Sequence, residues 1–467
     1  MSDSTESAGP YVLPEGWAWA DIASASSIGS RQIIPYEHSD QTFKYVALEN
    51  IEQGSGRLVD FEPTLGSEIG SNKYTFGTEH VLFGKLRPYL RKVLVPDFEG
   101  ISATDLLPIR PDPDRLNRRF LARWLLSPYV LEYVVSHQTG VKMPRLRTGD
   151  LEALPVPLPP LPEQQRLVDK VERLLEQSQT AREALDRIPP LLKRFRQSVL
   201  TKAFRGELTE RDPNDEPASV LLERIREERR RKWEKGLRMK GKDPRKAKYV
   251  GPEPPDTSGL PELPEGWVWA SLDTIAEVRS GVAKGRHLSA NDMIEVPYLR
   301  VANVQSGYLD LREVKRIQIR QSELDRYGLK SGDVLFTEGG DRDKLGRGTV
   351  WQGEVEPCVH QNHIHCARPR SRDVSSSFIS FSTQLPVARD YFWSVASQTV
   401  NLASVNASNL RAYLIPLPPA AEQRRIVAKV EALLAQASAI VQASVKARRR
   451  VEQLDQAVLA RAFRGHL

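Results

Sequence analysis

Five residues able to bind a soft or borderline metal fall close together in CVHQNHIHC: Cys358, His360, His363, His365 and Cys366. Thiolate and imidazole are the usual ligands of structural zinc. In a strand, however, 358 and 360 share one face while 363 and 365 share the other. No second cluster completes a site. The competing reading is a strand and loop in which Gln361, Asn362 and His363 read a polar partner or satisfy a core. Asp310, Glu313 and Lys315 loosely resemble a nuclease carboxylate–lysine trio, a grouping that chance readily produces in a charged chain. No phosphate-cradling loop is present: Gly84-Lys85 and Gly241-Lys242 lack the following Ser or Thr and the upstream glycine. GGDRDKLGRG, from Gly339 to Gly348, is Gly-rich at the wrong spacing and reads as a flexible charged loop. Adenine-methyltransferase signatures of the Asn-Pro-Pro-aromatic or Asp-Pro-Pro-aromatic type are absent, as the Pro-Pro pairs lie in other contexts.

Basic loops punctuated by glycine form a more coherent constellation. The first half of the chain has GKLRPYLRK, with Lys85, Arg87, Tyr89, Arg91 and Lys92, and GVKMPRLRTGD, with Lys142, Arg145 and Arg147. The second half has Arg342, Lys344 and Arg347, then Asn401, Asn406, Asn409 and Arg411. Arg and Lys suit phosphates and guanine edges, and Asn and Gln suit adenine edges. A solvated basic loop is the alternative for each taken alone. Matched placement in both halves favours contact with DNA. The first-half cations have no obvious acidic neighbours, whereas Asp341 and Asp343 flank those of the second.

The elements that would position these loops occur twice. LPEGWAWA (Leu13 to Ala20) returns as LPEGWVWA (Leu263 to Ala270). EQQRLVDKVERLLEQ from Glu163 returns as EQRRIVAKVEALLAQ from Glu422, and VLTKAFRGEL from Val199 returns as VLARAFRGHL from Val458. The last two pairs share one offset, so that stretch aligns without a gap. The plan is an opening motif, a body of variable length and a helical ending of fixed length. Such a pseudo-twofold chain suits a target of approximate twofold symmetry. Phe43 to Ile51 and His80 to Phe83 read as strands, mirrored around Tyr298 to Val304 and Val334 to Phe336. Arg119 to Val135 reads as helix broken at Pro128, with a counterpart from Phe378 to Trp393.

A proline collar, PVPLPPLPEQ or IPLPPAAEQ, stops before each long helix. Glu163 and Glu422 fall in a first turn, where a carboxylate favours the helix dipole. The helices then carry an apolar stripe spaced by four and three. It runs through Leu167, Val171 and Leu174 to Phe195 and Val199 in one copy. In the other it runs through Ile426, Val430, Leu433 and Ile440 to Leu454 and Val458. That spacing is a coiled-coil seam, whose natural partner is the other copy. A globular amphipathic helix is the blander alternative. Pro189-Pro190 should kink or break the first helix, where the second has Arg448-Arg449.

The chain of 467 residues has 67 Lys and Arg against 60 Asp and Glu, a net charge of +7 that weakly favours a polyanionic partner. Two cysteines exclude a disulfide framework and fit a reducing cytosol. The polar N-terminus does not read as a signal peptide, and no apolar run reads as a membrane span. A basic stretch, RIREERRRKWEKGLRMKGKDPRKAK, and the proline-rich GPEPPDTSGLPELP read as a solvated helix and a flexible linker, with contact to DNA or a partner as the other reading.

The doubled LPEGW opening, the PLPPLPEQ and PLPPAAEQ collars, the helix pattern and the AFRGEL and AFRGHL endings resemble the specificity subunit of Type I restriction-modification enzymes, over nearly the whole chain. The resemblance implies an α+β fold of two pseudo-twofold target-recognition domains with small twisted sheets. Two long helices packed as an antiparallel coiled coil separate them. The expected boundaries are a first recognition domain at 1–155, a first conserved helix at 156–206 and a basic helix with linker at 207–262. A second recognition domain at 263–414 and a second conserved helix at 415–467 follow. Each domain is expected to read half of a bipartite site in double-stranded DNA. The helices are expected to set the spacing and dock modification subunits, two by expectation, through Leu167, Val171, Leu174, Ile426, Val430, Leu433, Phe204 and Phe463. No cofactor is expected in this chain. S-adenosylmethionine is expected in the modification subunits, and ATP and Mg in restriction subunits, all in the cytoplasm. A methylation-only system and a coiled-coil scaffold that binds no DNA are the alternatives.

Overall fold

The computed structural model describes residues 9–285, 292–342, 344–398 and 403–467. Asn401 and Asp343 therefore lie outside the described residues. The fold is mixed α+β, and the chain divides into two compact units, 1–188 with 443–467 and 189–442.

In the first unit the opening motif and the collar, far apart in sequence, pair as antiparallel strands. Ala18–Asp21 lies against Pro155–Leu158, with Trp19 opposite Pro157. Prolines are tolerated here because the two-stranded ribbon has open edges where no amide donor is needed. A four-stranded sheet follows in the order Ser26–Ile28, Leu106–Pro111, Val81–Gly84, Val93–Leu94. Its Val81, Phe83, Leu107 and Ile109 are buried beneath the helices Arg118–Leu125 and Pro128–His137. Pro128 marks the helix break, as the sequence predicts. A second four-stranded sheet contains Tyr45–Val46, Lys73–Phe76 and Gly100–Ser102.

The second unit repeats this plan. Val268–Ser271 pairs with Leu414–Leu417 and places Trp269 opposite Pro416. Its main sheet has the matching order Ala276–Ser280, Ile364–Pro369, Val334–Thr337, Gly348–Val350. The helices Ser376–Ser382 and Pro386–Val395 stand where the first unit has its pair.

The first long helix is interrupted beside Pro189-Pro190, as Leu161–Asp186 and Ile188–Phe204. Starting the second piece one residue before the prolines puts both in its first turn, where missing amide donors cost nothing. The other long helix, Ala420–Ala462, is continuous. The long helices pack together within each unit. In the first, Leu167 and Val171 share a core with Val458, Leu459, Ala462 and Phe463. Arg182 pairs with Asp455 and Asp186 with Arg448. In the second, Val199, Leu200 and Phe204 share a core with Ile426 and Val430.

Three expectations are corrected. The seam is interrupted: Leu454 is 56% exposed, Ile440 48% and Phe195 40%. A straight helix of 3.6 residues per turn drifts away from a 3.5-residue stripe. Asp455, one position past Leu454, takes the buried place and meets Arg182. The basic stretch is solvated along most of its length, but the helix that carries it is also docked. Ala218–Met239 buries Ala218, Leu221, Leu222 and Ile225 in the core of the second unit, and its Arg229 holds Asp273 at 2.8 Å. Finally, Ala420–Ala462 is long and apolar enough by composition to cross a membrane. Its Ile426 and Val430 are buried in the core of the second unit.

Candidate nucleic-acid interface

The two basic loops of the first unit meet. The Lys85 carbonyl accepts from the Leu146 amide at 2.9 Å, and the Arg87 amide donates to the Pro144 carbonyl at 2.7 Å. Thr139 and Arg145 exchange both backbone bonds, closing the second loop on itself. Arg87 and Arg91 flank the turn Pro88–Leu90, each with φ of 49°. A left-handed backbone at a non-glycine residue costs about 1–2 kcal/mol. The Pro88 ring and the Arg87–Pro144 bond hold it in place. Tyr89 stands at the turn, 37% exposed.

The cations divide by environment. Arg87, Lys142 and Arg147 are exposed, and with half-buried Lys85 they make no ion pair among the described residues. Lys92 is tethered, its Nζ donating to the Leu48 carbonyl at 2.6 Å. Arg91 is partly sunk into the body, with Nε and Nη1 buried, and burial draws its guanidinium below the usual range. Arg145 corrects the expectation that these cations lack acidic neighbours. It pairs with Asp105 at 3.3 Å, a residue distant in sequence that the sheet brings alongside.

The second unit brings together the equivalent segments. Gly339–Gly340 pairs with Ala403–Ser404, and the Val405 amide donates to the Glu338 carbonyl at 2.8 Å. The cations there are engaged within the protein. Arg342 pairs with Asp390 at 2.9 Å and lies over the Trp393 ring, Lys344 pairs with Asp341, and Arg347 donates to Gln305 at 2.7 Å. Asn406 caps the helix Ala407–Ala412 by accepting from the Asn409 amide at 2.8 Å. Asn409 donates through Nδ2 to the Val395 carbonyl, and Arg411 to the Val278 carbonyl.

The Cys and His cluster disperses. Cys358, His360, His365 and Cys366 are buried; His363 is exposed, 2.6 Å from Glu338. Burial pushes the Cys358 thiol up to about 12 and His360 down to about 4, so both are neutral near pH 7. His360 Nδ1 lies 2.8 Å from the Ile364 carbonyl, a structural bond. Among the described residues no group of three or more His, Cys, Asp or Glu is placed to hold a metal. Gln361 and Asn362 are half-buried beside Val282, on the loop that leads to His363. Of the carboxylate–lysine trio, Asp310 pairs with Arg312 and Glu313 with Arg300 and Lys315.

One pair of residues escaped the sequence reading. Gln164 and Gln423, in the repeated Glu-Gln of the collars, are fully buried. Gln164 Oε1 accepts from the Asn117 amide at 2.8 Å, while its Nε2 donates to the Arg115 and Pro159 carbonyls at 2.9 Å. Gln423 Oε1 accepts from the Ser375 amide at 3.0 Å, and its Nε2 donates to the Pro418 carbonyl at 3.0 Å. Exact recurrence beside a proline collar was the available signal. The neighbouring glutamates diverge. Glu163 is partly exposed and pairs with Arg166, whereas Glu422 is buried and accepts from Trp267 Nε1 at 2.9 Å.

The model for the Type I restriction modification DNA specificity domain matches residues 43–189 and 264–446, one match for each copy of the plan. The chain belongs to the Type I restriction-modification specificity family. It is similar to the EcoKI specificity subunit of Escherichia coli K12, 26% identical over 479 residues that cover 97% of this chain and 90% of that protein. The EcoAI specificity subunit of Escherichia coli is 24% identical and covers 93% of this chain and 80% of its own length. The EcoDI specificity subunit of Escherichia coli is 30% identical over 225 residues, 46% of this chain, and that match spans half of the EcoDI length. A solved chain from a study of complex assembly and conformational transition in the type I system shares the fold, with a TM-score of 0.71 at 22% identity over 98% of this chain and all of its own. The HsdS subunit of Thermoanaerobacter tengcongensis shares it at 0.55 and 22%, covering 98% and 99%.

Proposed function

We propose that this specificity subunit reads a bipartite site in double-stranded DNA, one half through each body, and scaffolds the subunits that act on it. The observation that carries this is the recurrence in both units of one strand-end loop drawn onto the segment before a short helix. In the first unit that junction gathers Lys85, Arg87, Lys142 and Arg147, suited to phosphates. Tyr89, Gln361, Asn362 and His363 are the candidates for base contact. Bodies at 1–155 and 263–414 would supply recognition. Helical segments at 156–206 and 415–467 would form an antiparallel coiled coil, the order in which Arg182 meets Asp455 and Asp186 meets Arg448. A half-site separation near one duplex turn suits a reader with two similar halves.

The partners of this reading are two modification subunits carrying S-adenosylmethionine and a restriction subunit using ATP and Mg, in the cytoplasm. The test is duplex binding by the assembled methyltransferase across a salt series, with methylation mapped in the host genome. A bipartite motif and a steep salt slope support the reading. Salt-insensitive association, or no motif, supports a scaffold that binds no DNA.

A further inference from the structure

The two glutamines of the collars occupy equivalent places, and each joins three parts of its unit. Gln164 follows the collar strand Pro155–Leu158 and sits in the first turn of Leu161–Asp186. Its Oε1 takes the amide of Asn117, and Asn117 is itself the cap of Arg118–Leu125, accepting from the Arg119 and Phe120 amides. Its Nε2 takes the carbonyl of Pro159 in the collar. Gln423 does the same in the second unit: its Oε1 takes the amide of Ser375, the cap of Ser376–Ser382, and its Nε2 the Pro418 carbonyl. Recognition body, collar and long helix thus meet on one side chain. Both glutamines are fully buried, so water cannot replace the lost partners if the body shifts.

Each body also approaches a long helix at a second point. In the first unit the turn after Asn50-Ile51 brings Arg57 to 3.9 Å from Glu183 near the end of the same helix piece. In the second unit the equivalent turn at Gly307 lies against Arg196, where an added Cβ would come within 3.0 Å of the guanidinium. The first body thus meets Leu161–Asp186 at two places, and the second meets Ala420–Ala462 at Gln423 and Ile188–Phe204 beside Arg196.

Resting on the bipartite reading, we infer that Gln164 and Gln423 are positioning residues that make each body rigid on its helix, so that the enzyme accepts one spacer length between half-sites. Neither touches DNA. Each acts by holding the helix cap from which the body's main sheet is covered. A base pair added to the spacer moves one half-site by about 3.4 Å along the duplex and turns it about the axis. A rigid body rejects that displacement and a loosened one follows it.

The experiment uses the assembled methyltransferase carrying Gln164→Met or Gln423→Met, changes that keep side-chain length and remove both polar ends. Methylation rates are measured on duplexes with the mapped target at its native spacer and at spacers one base pair shorter and longer. Thermal melting reports the folded fraction. The expected result is a fall of about tenfold in the rate ratio of native to altered spacer, the effect of roughly one buried hydrogen bond. Preference within each half-site should be unchanged. A rate that falls equally at all three spacers, in step with the folded fraction, overturns the inference and leaves the glutamines as packing groups. If a variant does not fold, Gln164→Asn and Gln423→Asn, which keep a buried amide but withdraw it from its partners and leave both helix caps in place, are read in the same way. Spacer discrimination intact in the folded variants overturns the inference. A wild-type enzyme that methylates no bipartite motif contradicts the proposed function itself.

Discussion

The Arg87 amide donates to the Pro144 carbonyl at 2.7 Å, across a separation that no local pattern spans. With the bond from the Leu146 amide to the Lys85 carbonyl, it joins the two basic loops. Arg87 and Lys142, one on each of these loops, are both exposed.

Arg87→Ala and Lys142→Ala, each made in the assembled enzyme, should weaken binding to every duplex alike and lower the salt slope by about one unit. Arg347→Ala should change the slope less, because Arg347 already donates to Gln305. Binding isotherms across a salt series check this. A loss confined to one base position would make Arg87 a reader of sequence, at a cost of roughly 1–3 kcal/mol.

Asn406→Ala should cost about 1 kcal/mol of stability, the usual worth of an N-cap. It should leave the methylated motif unchanged, since its Oδ1 is committed to the Asn409 amide. Thermal melts and methylation mapping together decide whether this residue caps or reads.

Leu174→Asp and Leu433→Asp should each destabilise the chain by about 2–5 kcal/mol and abolish assembly with the modification subunit, because each places a carboxylate against a buried cluster. Leu454→Asp should be tolerated, as that side chain is largely exposed. Melting temperatures and co-purification with the modification subunit provide the readout. Equal effects at all three positions would restore an uninterrupted seam.

Burial raises the Glu422 carboxyl above its usual range, despite the Trp267 hydrogen bond that opposes it. The folded state then holds this proton more tightly than the unfolded state. Stability falls as pH rises from the ordinary glutamate range through the raised value, and the penalty is complete above it. Glu422→Gln keeps an acceptor for Trp267 and should raise the melting temperature at pH 7.5. The gain should vanish below the ordinary glutamate range. An equal effect at every pH would assign the change to packing.

Much of the architecture was legible because it was written twice. The matched openings, collars and endings marked the repeated elements, and proline chemistry placed the breaks at Pro128 and beside Pro189-Pro190. Long-range pairing was not legible. Nothing local to Arg145 announces Asp105, and the two meet because Leu106–Pro111 lies in the main sheet beside Val81–Gly84. The interrupted seam escaped for a different reason: periodicity records where apolar residues recur, while slow rotation of the stripe decides which are covered. Gln164 and Gln423 were visible as a repeat, yet a glutamine in a first turn has no pattern of its own to announce burial.

Under the proposed function each body reads its own half-site. Residues 13–155 are exchanged for the equivalent body of a relative with a different target, and the methylated motif of the host genome is mapped. One half of the motif should change and the other stay. A motif changed in both halves, or in neither, would contradict that function.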